Sequence, residues 1–318
     1  MRRIQWMLLL VYCSLAGPVA HADATDACPP AKGVAVQILG SGGPIADDDR
    51  ASSAYLVWID GESRVLIDAG GGAFLRFGEA GASFLSLDFI GLSHFHTDHS
   101  ADFPALLKSG YFSNRRRSLI VTGPDAGGPF PGLDDFLASM LGKDGAYGYL
   151  SGYFDGTGGL ANIASFEISK DIVGAVTVLG DTSGNIQIDA MHVPHGIVPA
   201  LAYRIRIGDV IIVFSGDQNG SNDDFVEFAK NAAVLIAHMP VPVGISGAGR
   251  SLHAPPGVIG TIAREAQVGT LVLSHLMARS LRNLDSNVAT VKSHYNGPVI
   301  VADDLDCVII ESKEATWQ

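Results

Sequence analysis

The sequence predicts an α/β fold in which two mixed β-sheets pack together and are covered by outer helices. The first observation is a meander of short apolar runs, bounded by Gly and Asp clusters, at the start of the chain. The second is an alternation of helical and strand patterns in the later part, and the third is a pair of closing apolar runs. Because each sheet must bury its apolar faces, two sheets with helices outside fit this order.

Strands are predicted where a short apolar run lies between turn residues, and helices where apolar residues recur at three-to-four spacing. The predicted strands cover residues 34–39, 55–59, 64–68, 89–93, 119–121, 175–179, 186–193, 200–207, 210–214, 234–236, 271–273, 299–300 and 308–310. The predicted helices cover residues 102–111, 133–141, 222–229, 256–266 and 277–294. The Gly-rich segment 142–159 also carries aromatic residues, so it is either a substrate-covering loop or an exposed insertion.

The N-terminus has the pattern of a secretory signal peptide over residues 1–22. Arg2 and Arg3 precede an apolar stretch over residues 6–16, and small residues follow up to Ala22. The mature chain is therefore expected to begin near Asp23, to form a single domain over residues 23–318, and to be periplasmic or secreted. No later stretch reaches the roughly 20 apolar residues of a membrane helix, so no membrane anchor is expected.

Charge and cysteine content bear on partners and compartment. The chain carries 33 acidic and 21 basic residues, a formal net charge of -12, which repels polyanions. The compact basic run, Arg115 to Arg117, is interpreted as a solvated turn, so no nucleic-acid partner is expected. Cys28 and Cys307 could pair in an oxidising compartment, but the sequence leaves that disulfide open.

A metal-binding run, His94-Phe95-His96-Thr97-Asp98-His99, follows the predicted strand 89–93. Strand alternation places His94 and His96 on one side, where they can hold one metal, while Asp98 and His99 lie at the turn into the next helix and can hold a second. Zinc prefers nitrogen and carboxylate ligands, and paired ions can share one water molecule. The run therefore predicts a site for two divalent metal ions, with Zn²⁺ expected.

The His-x-His-x-Asp-His form of this run resembles the metallo-β-lactamase superfamily, and the resemblance extends over the mature chain. It implies an αββα sandwich and a non-ligand aspartate, Asp68, that orients the metal loop. It also implies a further histidine ligand, for which His195 is preferred over His192; His192 would then support the site or contact substrate. Asp217, after the strand 210–214, is the expected bridging carboxylate.

His275, after the strand 271–273, completes the ligand set that the resemblance implies. The two metal sites are expected to consist of His94, His96, His195 and Asp217, and of Asp98, His99, Asp217 and His275.

The segment His253-Ala254-Pro255-Pro256 resembles a segment of ribonuclease Z and its exported arylsulfatase relatives. This likeness implies that His253 donates a proton or a hydrogen bond to the scissile group. The family's His-Glu pair is replaced here by Ala237 and His238, which puts tRNA processing in doubt. His238 would either help His253 or only cap its strand.

These observations predict an exported hydrolase in which a metal-bridged hydroxide, oriented by Asp98, attacks a sulfate ester or a phosphodiester. The expected partner is a small-molecule ester, with a homodimer possible. The alternative is a lactonase or β-lactamase-type carbonyl hydrolase, which Asp217 disfavours because true metallo-β-lactamases resemble one another in having Cys or Ser at the bridging position. A non-catalytic metal-binding module is the third hypothesis.

Overall fold

The computed structural model describes residues 28–180 and 186–310, so the predicted signal peptide over residues 1–22 lies outside the described residues. Two mixed seven-stranded β-sheets are flanked by helices, which confirms the predicted fold class. Among the described residues, none of the helices combines the length and the apolar character needed to cross a bilayer.

The first sheet has the strand order β14-β1-β2-β3-β4-β5-β6. The strands β14, β1, β2 and β3 pair antiparallel, and β3 to β6 pair parallel. In the parallel half, the carboxyl ends of the strands therefore lie at the same edge of the sheet. The strands are β1 (Val34–Gly40), β2 (Ala54–Ile59), β3 (Glu62–Ile67), β4 (Phe89–Gly91), β5 (Leu119–Pro124), β6 (Ile163–Ile168) and β14 (Cys307–Ile310).

The second sheet repeats this plan with the order β13-β12-β11-β10-β9-β8-β7. Its strands β7 to β10 pair antiparallel, and β10 to β13 pair parallel. The strands are β7 (Ala175–Gly180), β8 (Ile186–His195), β9 (Val198–Ile207), β10 (Val210–Phe214), β11 (Val234–His238), β12 (Thr270–Ser274) and β13 (Val299–Val301).

The α-helices cover the outer faces of the two sheets. They are α1 (Ala73–Glu79), α2 (Thr97–Ser100), α3 (Phe103–Tyr111), α4 (Leu133–Leu141), α5 (Gly152–Asp155), α6 (Asp224–Phe228), α7 (Gly247–Leu252), α8 (Pro256–Glu265), α9 (Ala278–Leu281) and α10 (Leu284–His294). Of these, α1, α2, α5 and α7 were not predicted, and neither was the strand β6.

Side-chain alternation along the strands produces three apolar layers. In β1, Val36 and Ile38 point between the sheets, whereas Ala35 and Leu39 point toward the helices of the first sheet. The second sheet has its own outer layer, in which Leu235 packs with residues of α8 and α10. Each sheet is thus buried on both faces, as parallel strands require.

Two buried tyrosines cross the space between the sheets in opposite directions. The Tyr55 hydroxyl of the first sheet lies 3.0 Å from Ser274 Oγ of the second. The Tyr203 hydroxyl of the second sheet lies 2.9 Å from Thr122 Oγ1 and donates to the carbonyl oxygen of Leu92, 3.0 Å away, in the first. Buried hydroxyls need partners, so these contacts fix the relative position of the sheets.

The predicted helix over 277–294 is wrong in its continuity, because the chain forms α9 and then α10. Asn287 explains the break: its side-chain amide donates to the carbonyl oxygen of Ser280 at 3.0 Å and accepts from the main-chain N–H of Val243 at 3.0 Å. A polar side chain buried in this way is satisfied only if the chain turns between the two helices.

The basic run differs from expectation. Arg115 is buried and donates to the carbonyl oxygens of Phe84, Leu85 and Ser118, so it is not part of a solvated turn. The segment 142–159 is largely exposed, as one of its two interpretations expected, and it is anchored by the buried Tyr153, whose hydroxyl donates to the Leu107 carbonyl oxygen at 2.6 Å.

A disulfide joins Cys28 and Cys307, a pairing that the sequence left open. The two cysteines are 279 residues apart in sequence. Since β14, which begins at Cys307, pairs with β1, the bond ties the two ends of the described chain at the same side of the first sheet.

Replacing both cysteines, as Cys28→Ser with Cys307→Ser, is expected to lower the free energy of unfolding by about 2–4 kcal/mol, because the open chain gains entropy when unfolded. Urea unfolding followed by circular dichroism measures this loss. The oxidised and the dithiothreitol-reduced wild type provide the matched controls, and a double variant as stable as the oxidised protein would contradict the expectation.

Candidate metal centre

The predicted site residues converge at one edge of the sandwich, where strands of both sheets end. His94 follows β4, His96 precedes α2, and His195 and His238 are the last residues of β8 and β11. Asp217 and His275 follow β10 and β12. The strand ends of the two parallel halves therefore bring side chains from distant parts of the sequence into one cluster.

Asp68 holds the loop that carries the histidine run. Its Oδ1 accepts the main-chain N–H of Ser93 at 2.6 Å, and its Oδ2 lies 2.8 Å from both Ser93 Oγ and His99 Nδ1. Because a carboxylate only accepts, the proton of His99 lies on Nδ1, and its Nε2 is turned toward the cluster. The structure thus gives Asp68 the orienting contacts that the sequence suggested.

Two glycines allow the close approach of backbones at this edge. A Cβ on Gly70 would lie 2.2 Å from the Asp98 carbonyl oxygen, and one on Gly216 would lie 2.3 Å from the Leu201 carbonyl oxygen. Gly216 also has a φ of 55°, a backbone conformation that is strained for a residue with a side chain. The turns that carry Asp98 and Asp217 therefore require these glycines.

One group of ligand atoms lies on the side of the first sheet's histidine run. His94, His96 and His195 each offer a ring nitrogen within 4.8 Å of the others. His94 Nε2 lies 2.9 Å from His96 Nδ1, and His195 Nδ1 is held 2.9 Å from the Leu252 carbonyl oxygen. His195 Nε2 is thereby left facing the cluster.

A second group lies around His99 and His275. His275 Nε2 is 3.2 Å from Asp98 Oδ2, and His99 Nε2 is 3.5 Å from the same oxygen. The ligand atoms of His99, Asp217, His238 and His275 lie within 4.8 Å of one another. This is the neighbourhood expected for the second metal, with His238 as an additional member.

Asp217 lies between the two groups, with one oxygen directed to each. Its Oδ2 is 3.5 Å from His195 Nε2 and 3.7 Å from His99 Nε2, whereas its Oδ1 is 3.5 Å from His275 Nε2. A carboxylate in this position can bind one ion through each oxygen.

The residues fit a pair of divalent cations. His99 Nε2 and His195 Nε2 are buried and make no hydrogen bond in the part of the chain that the structure describes. A buried polar atom without a partner raises the free energy of the folded state. Because these two nitrogens face the buried carboxylate of Asp217, they indicate a cation between the imidazoles and the carboxylate. Zinc is the typical metal for such histidine and aspartate ligands.

The pKa values reflect the same crowding of charge. Burial would raise the pKa of Asp217, but His275, His253 and His99 hold it well below its ordinary range. Burial lowers the pKa of His99, yet Asp68, Asp217 and Asp98 outweigh this effect and raise it to about 10. The ionised carboxylates thus draw positive charge into the centre.

His238 and His253 lie on different sides of Asp217. His238 Nδ1 is 2.7 Å from Asp217 Oδ1, and its Nε2 is 2.9 Å from the Tyr55 hydroxyl. His253 Nδ1 is 3.8 Å from Asp217 Oδ2 and has no hydrogen-bond partner among the described residues; burial lowers the pKa of this imidazole to about 3. His238 therefore contacts Asp217 and Tyr55, whereas the sequence left open whether it helps His253 or only caps its strand.

A cleft of about 600 Å³ opens over the centre. Its lining combines ligands with apolar residues and one residue that the sequence analysis missed, Arg279, whose Nε donates to the Pro240 carbonyl oxygen at 2.8 Å. The lining residues are Pro44, Ile45, Phe95, His96, Thr97, Asp98, His195, Asp217, Leu252, His253, His275, Met277 and Arg279. Arg279 could have been identified in the sequence by its position, four residues after the predicted ligand His275.

The rim of this cleft includes the loop between Ser41 and Ala51, which Asp304 holds in place through hydrogen bonds. Asp304 accepts the main-chain N–H groups of Ser41 and Ala51, at 3.0 and 2.8 Å, and so closes the loop that carries Pro44 and Ile45. None of the segment 142–159 lines the cleft. His192 is also outside it, with Nε2 lying 3.1 Å from the Ile168 carbonyl oxygen.

Comparison with known proteins places these features in a family. The ribonuclease Z of Methanosarcina acetivorans is 26% identical over 295 residues, which cover 85% of this chain and 96% of that protein. The structure of human tRNase Z, short form, aligns with a TM-score of 0.68 at 19% identity, over 87% of this chain and all of that one. The metallo-β-lactamase fold protein YhfI from Bacillus subtilis aligns with a TM-score of 0.66 at 23% identity, over 86% of this chain and 99% of that one.

These relatives correct one expectation. A ribonuclease acts on RNA, and relatives with this name cover most of the chain. The expectation of a small-molecule ester substrate without a nucleic-acid partner is therefore wrong: it gave the overall charge of -12 more weight than the local chemistry of the site.

Residues 47–228 match the metallo-beta-lactamase superfamily, and this match includes the histidine run, His195 and Asp217. With the two-sheet fold and the clustered ligand atoms, the chain belongs to the metallo-β-lactamase superfamily.

Proposed function

We propose that this protein is a dinuclear metal-dependent phosphodiesterase that hydrolyses phosphodiester bonds of RNA. The observation that carries the proposal is the position of Asp217, with one carboxylate oxygen toward His195 and the other toward His275. Relatives named ribonuclease Z support RNA as the substrate class. The role that the sequence suggested for sulfate esters has no such support.

The proposed ligand sets are those that the sequence suggested: His94, His96, His195 and Asp217 for one ion, and Asp98, His99, Asp217 and His275 for the other. When bound, two divalent ions supply a water molecule of lowered pKa and polarise a phosphoryl oxygen. Asp98 lines the cleft, where its carboxylate could accept a hydrogen bond from the attacking water and so orient it.

The other groups of the cleft act on the substrate. His253 lies in the cleft wall beside His195, with ring centroids 5.1 Å apart, and can donate a hydrogen bond to the departing oxygen. Arg279 is fixed through Nε, which leaves its remaining N–H groups for a phosphate oxygen. Phe95 offers an apolar surface for a nucleobase, and its ring stacks on Phe136 at 4.4 Å.

We propose in addition that the protein is exported, as the pattern of residues 1–22 suggests. The disulfide between Cys28 and Cys307 supports this proposal, because such bonds persist in oxidising compartments. The two proposals together describe a phosphodiesterase that acts on RNA outside the cytoplasm.

The function is tested with the metal-loaded protein on bis-para-nitrophenyl phosphate and on an unstructured RNA oligonucleotide, with para-nitrophenyl sulfate as the contrasting substrate. Both phosphodiesters are expected to be hydrolysed. Asp217→Asn, which removes the charge but keeps the shape, is expected to lower turnover by more than about 100-fold, since losing a ligand costs more than losing its supporting contacts.

The matched control is Asp285→Asn at an exposed position in α10, which is expected to leave turnover unchanged. Hydrolysis of the sulfate alone, or wild-type turnover by Asp217→Asn, would argue against a dinuclear phosphodiesterase.

Replacing Arg279 with Gln is expected to raise the KM for the RNA oligonucleotide about tenfold, with a smaller effect on kcat, because a charge-assisted hydrogen bond to a phosphate is lost. Arg279→Lys, which keeps the charge, should recover part of this affinity. Steady-state kinetics at fixed ionic strength measure both variants. An unchanged KM in Arg279→Gln would remove Arg279 from the substrate site.

Export is tested by expressing the full chain in a bacterium with an outer membrane, separating the periplasmic fraction, and determining the N-terminus by mass spectrometry. A protein that begins near Asp23 in the periplasmic fraction is expected. A variant with Arg2 and Arg3 replaced by Glu serves as the control, because the positive segment of the signal is lost. A full-length chain that remains in the cytosol would refute export.

A further inference from the structure

We propose that His238 is a positioning residue that, together with Tyr55, holds the Asp217 carboxylate in the orientation that presents one oxygen to each half of the metal centre. The inference rests on the dinuclear centre of the proposed function. It assigns to His238 a task distinct from metal binding and from proton donation.

The hydrogen-bond partners define the state of the His238 ring. Nδ1 lies 2.7 Å from Asp217 Oδ1, and a carboxylate can only accept, so Nδ1 carries the proton. In the neutral ring, Nε2 then accepts from the Tyr55 hydroxyl, 2.9 Å away. Both nitrogens are thereby occupied, which leaves His238 without a lone pair for a metal.

The position of the ring is fixed by both sheets. Its main-chain N–H donates to Ser215 Oγ at 3.2 Å, next to the turn that carries Asp217. Tyr55 belongs to the first sheet, and its hydroxyl also contacts Ser274, which directly precedes the ligand His275. All of these side chains are buried, so water does not compete for the contacts.

The Asp217 carboxylate needs such a contact. The torsion that turns a carboxylate has only a shallow preference, so the side chain alone does not fix where its two oxygens point. Oδ1 must remain near His275 and Oδ2 near His195 for the two ligand sets to share this residue. An oxygen with two lone pairs can accept from His238 and still face His275.

The surroundings of His238 exclude a direct role in the reaction. The residue does not line the cleft, whereas Asp217, His253 and His275 do. Its ring packs against His275, with centroids 4.9 Å apart, and it makes no hydrogen bond to His253 among the described residues. Its influence on the substrate therefore passes through Asp217.

Titration of the metal-free protein with Co²⁺, followed by visible spectroscopy, tests the proposal without substrate. In His238→Leu, which removes both side-chain hydrogen bonds, the second Co²⁺ is expected to bind about 10–100-fold more weakly, with an altered spectrum. His238→Asn places an amide N–H near the position of Nδ1 and is expected to restore most of the affinity. Tyr55→Phe should give an intermediate loss.

The matched control is His192→Gln, which replaces a histidine on β8 that is hydrogen-bonded to a main-chain oxygen and lies outside the cleft. It is expected to bind two Co²⁺ ions like the wild type. Thermal unfolding of each metal-free variant separates a loss of folding from a loss of metal. If His238→Leu does not fold, Tyr55→Phe and His238→Asn decide the question.

Wild-type Co²⁺ affinity and spectrum in His238→Leu, or in Tyr55→Phe if the leucine variant does not fold, would overturn the proposal. An equal loss of affinity in His238→Asn and His238→Leu would also overturn it, since the contact with Asp217 would then not matter. A protein that binds two Co²⁺ ions but cleaves no phosphodiester would refute the proposed function and leave this inference standing.

Discussion

The packing of the two sheets against each other is the constraint on which the site depends. His94, His96, Asp98 and His99 are carried by the first sheet, whereas His195, Asp217 and His275 are carried by the second. The proposed ligands from the two sheets must meet within a few ångströms, so a small sliding of one sheet would separate them. The apolar layer between the sheets resists such sliding because it is filled by interlocking side chains.

The hydrogen bonds of Tyr55 and Tyr203 fix the alignment of the two packed sheets. An apolar layer tolerates small shifts, whereas a buried hydroxyl loses its partner if it moves by an ångström. Tyr55 reaches the second sheet beside the centre, and Tyr203 reaches the first sheet at Leu92, two residues before His94. The hydrogen bonds that align the sheets are thus located where alignment matters for the ligands.

The sequence was sufficient to predict the elements that depend on local pattern. The strands of the meander and the helices over 133–141 and 256–266 follow from periodicity, whereas the proposed ligands at strand ends come from the histidine run and from the resemblance to the superfamily. Contacts between residues that are distant in sequence could not be predicted in this way. Tyr55 looked like one residue of an apolar strand, and the hydrogen bond between His238 and Asp217 requires the pairing of β10 with β11 to be known.

The same limit applies to charge. The run Arg115 to Arg117 was the obvious basic feature of the sequence, but Arg115 is buried on main-chain oxygens and Arg117 pairs with Asp88. Arg279, which belongs to no basic run of the sequence, lines the cleft. For the proposed RNA substrate, recognition by this acidic protein would then depend on short-range contacts inside the cleft, and its dependence on salt should be shallower than for a protein with a broad basic surface.

Because Asp304 holds a loop from the N-terminal part of the chain, the cleft can close only after Asp304 has been synthesised. The rim loop between Ser41 and Ala51 is held by a residue near the end of the chain, and β1 has its outer partner in β14. During synthesis the first strand and the rim must therefore wait until Asp304 and β14 have emerged before they reach their final positions. A chain interrupted before Asp304 would carry all of the proposed ligands yet lack the contacts that close the rim, so a complete cleft forms only after the last of those ligands, His275, has long been made.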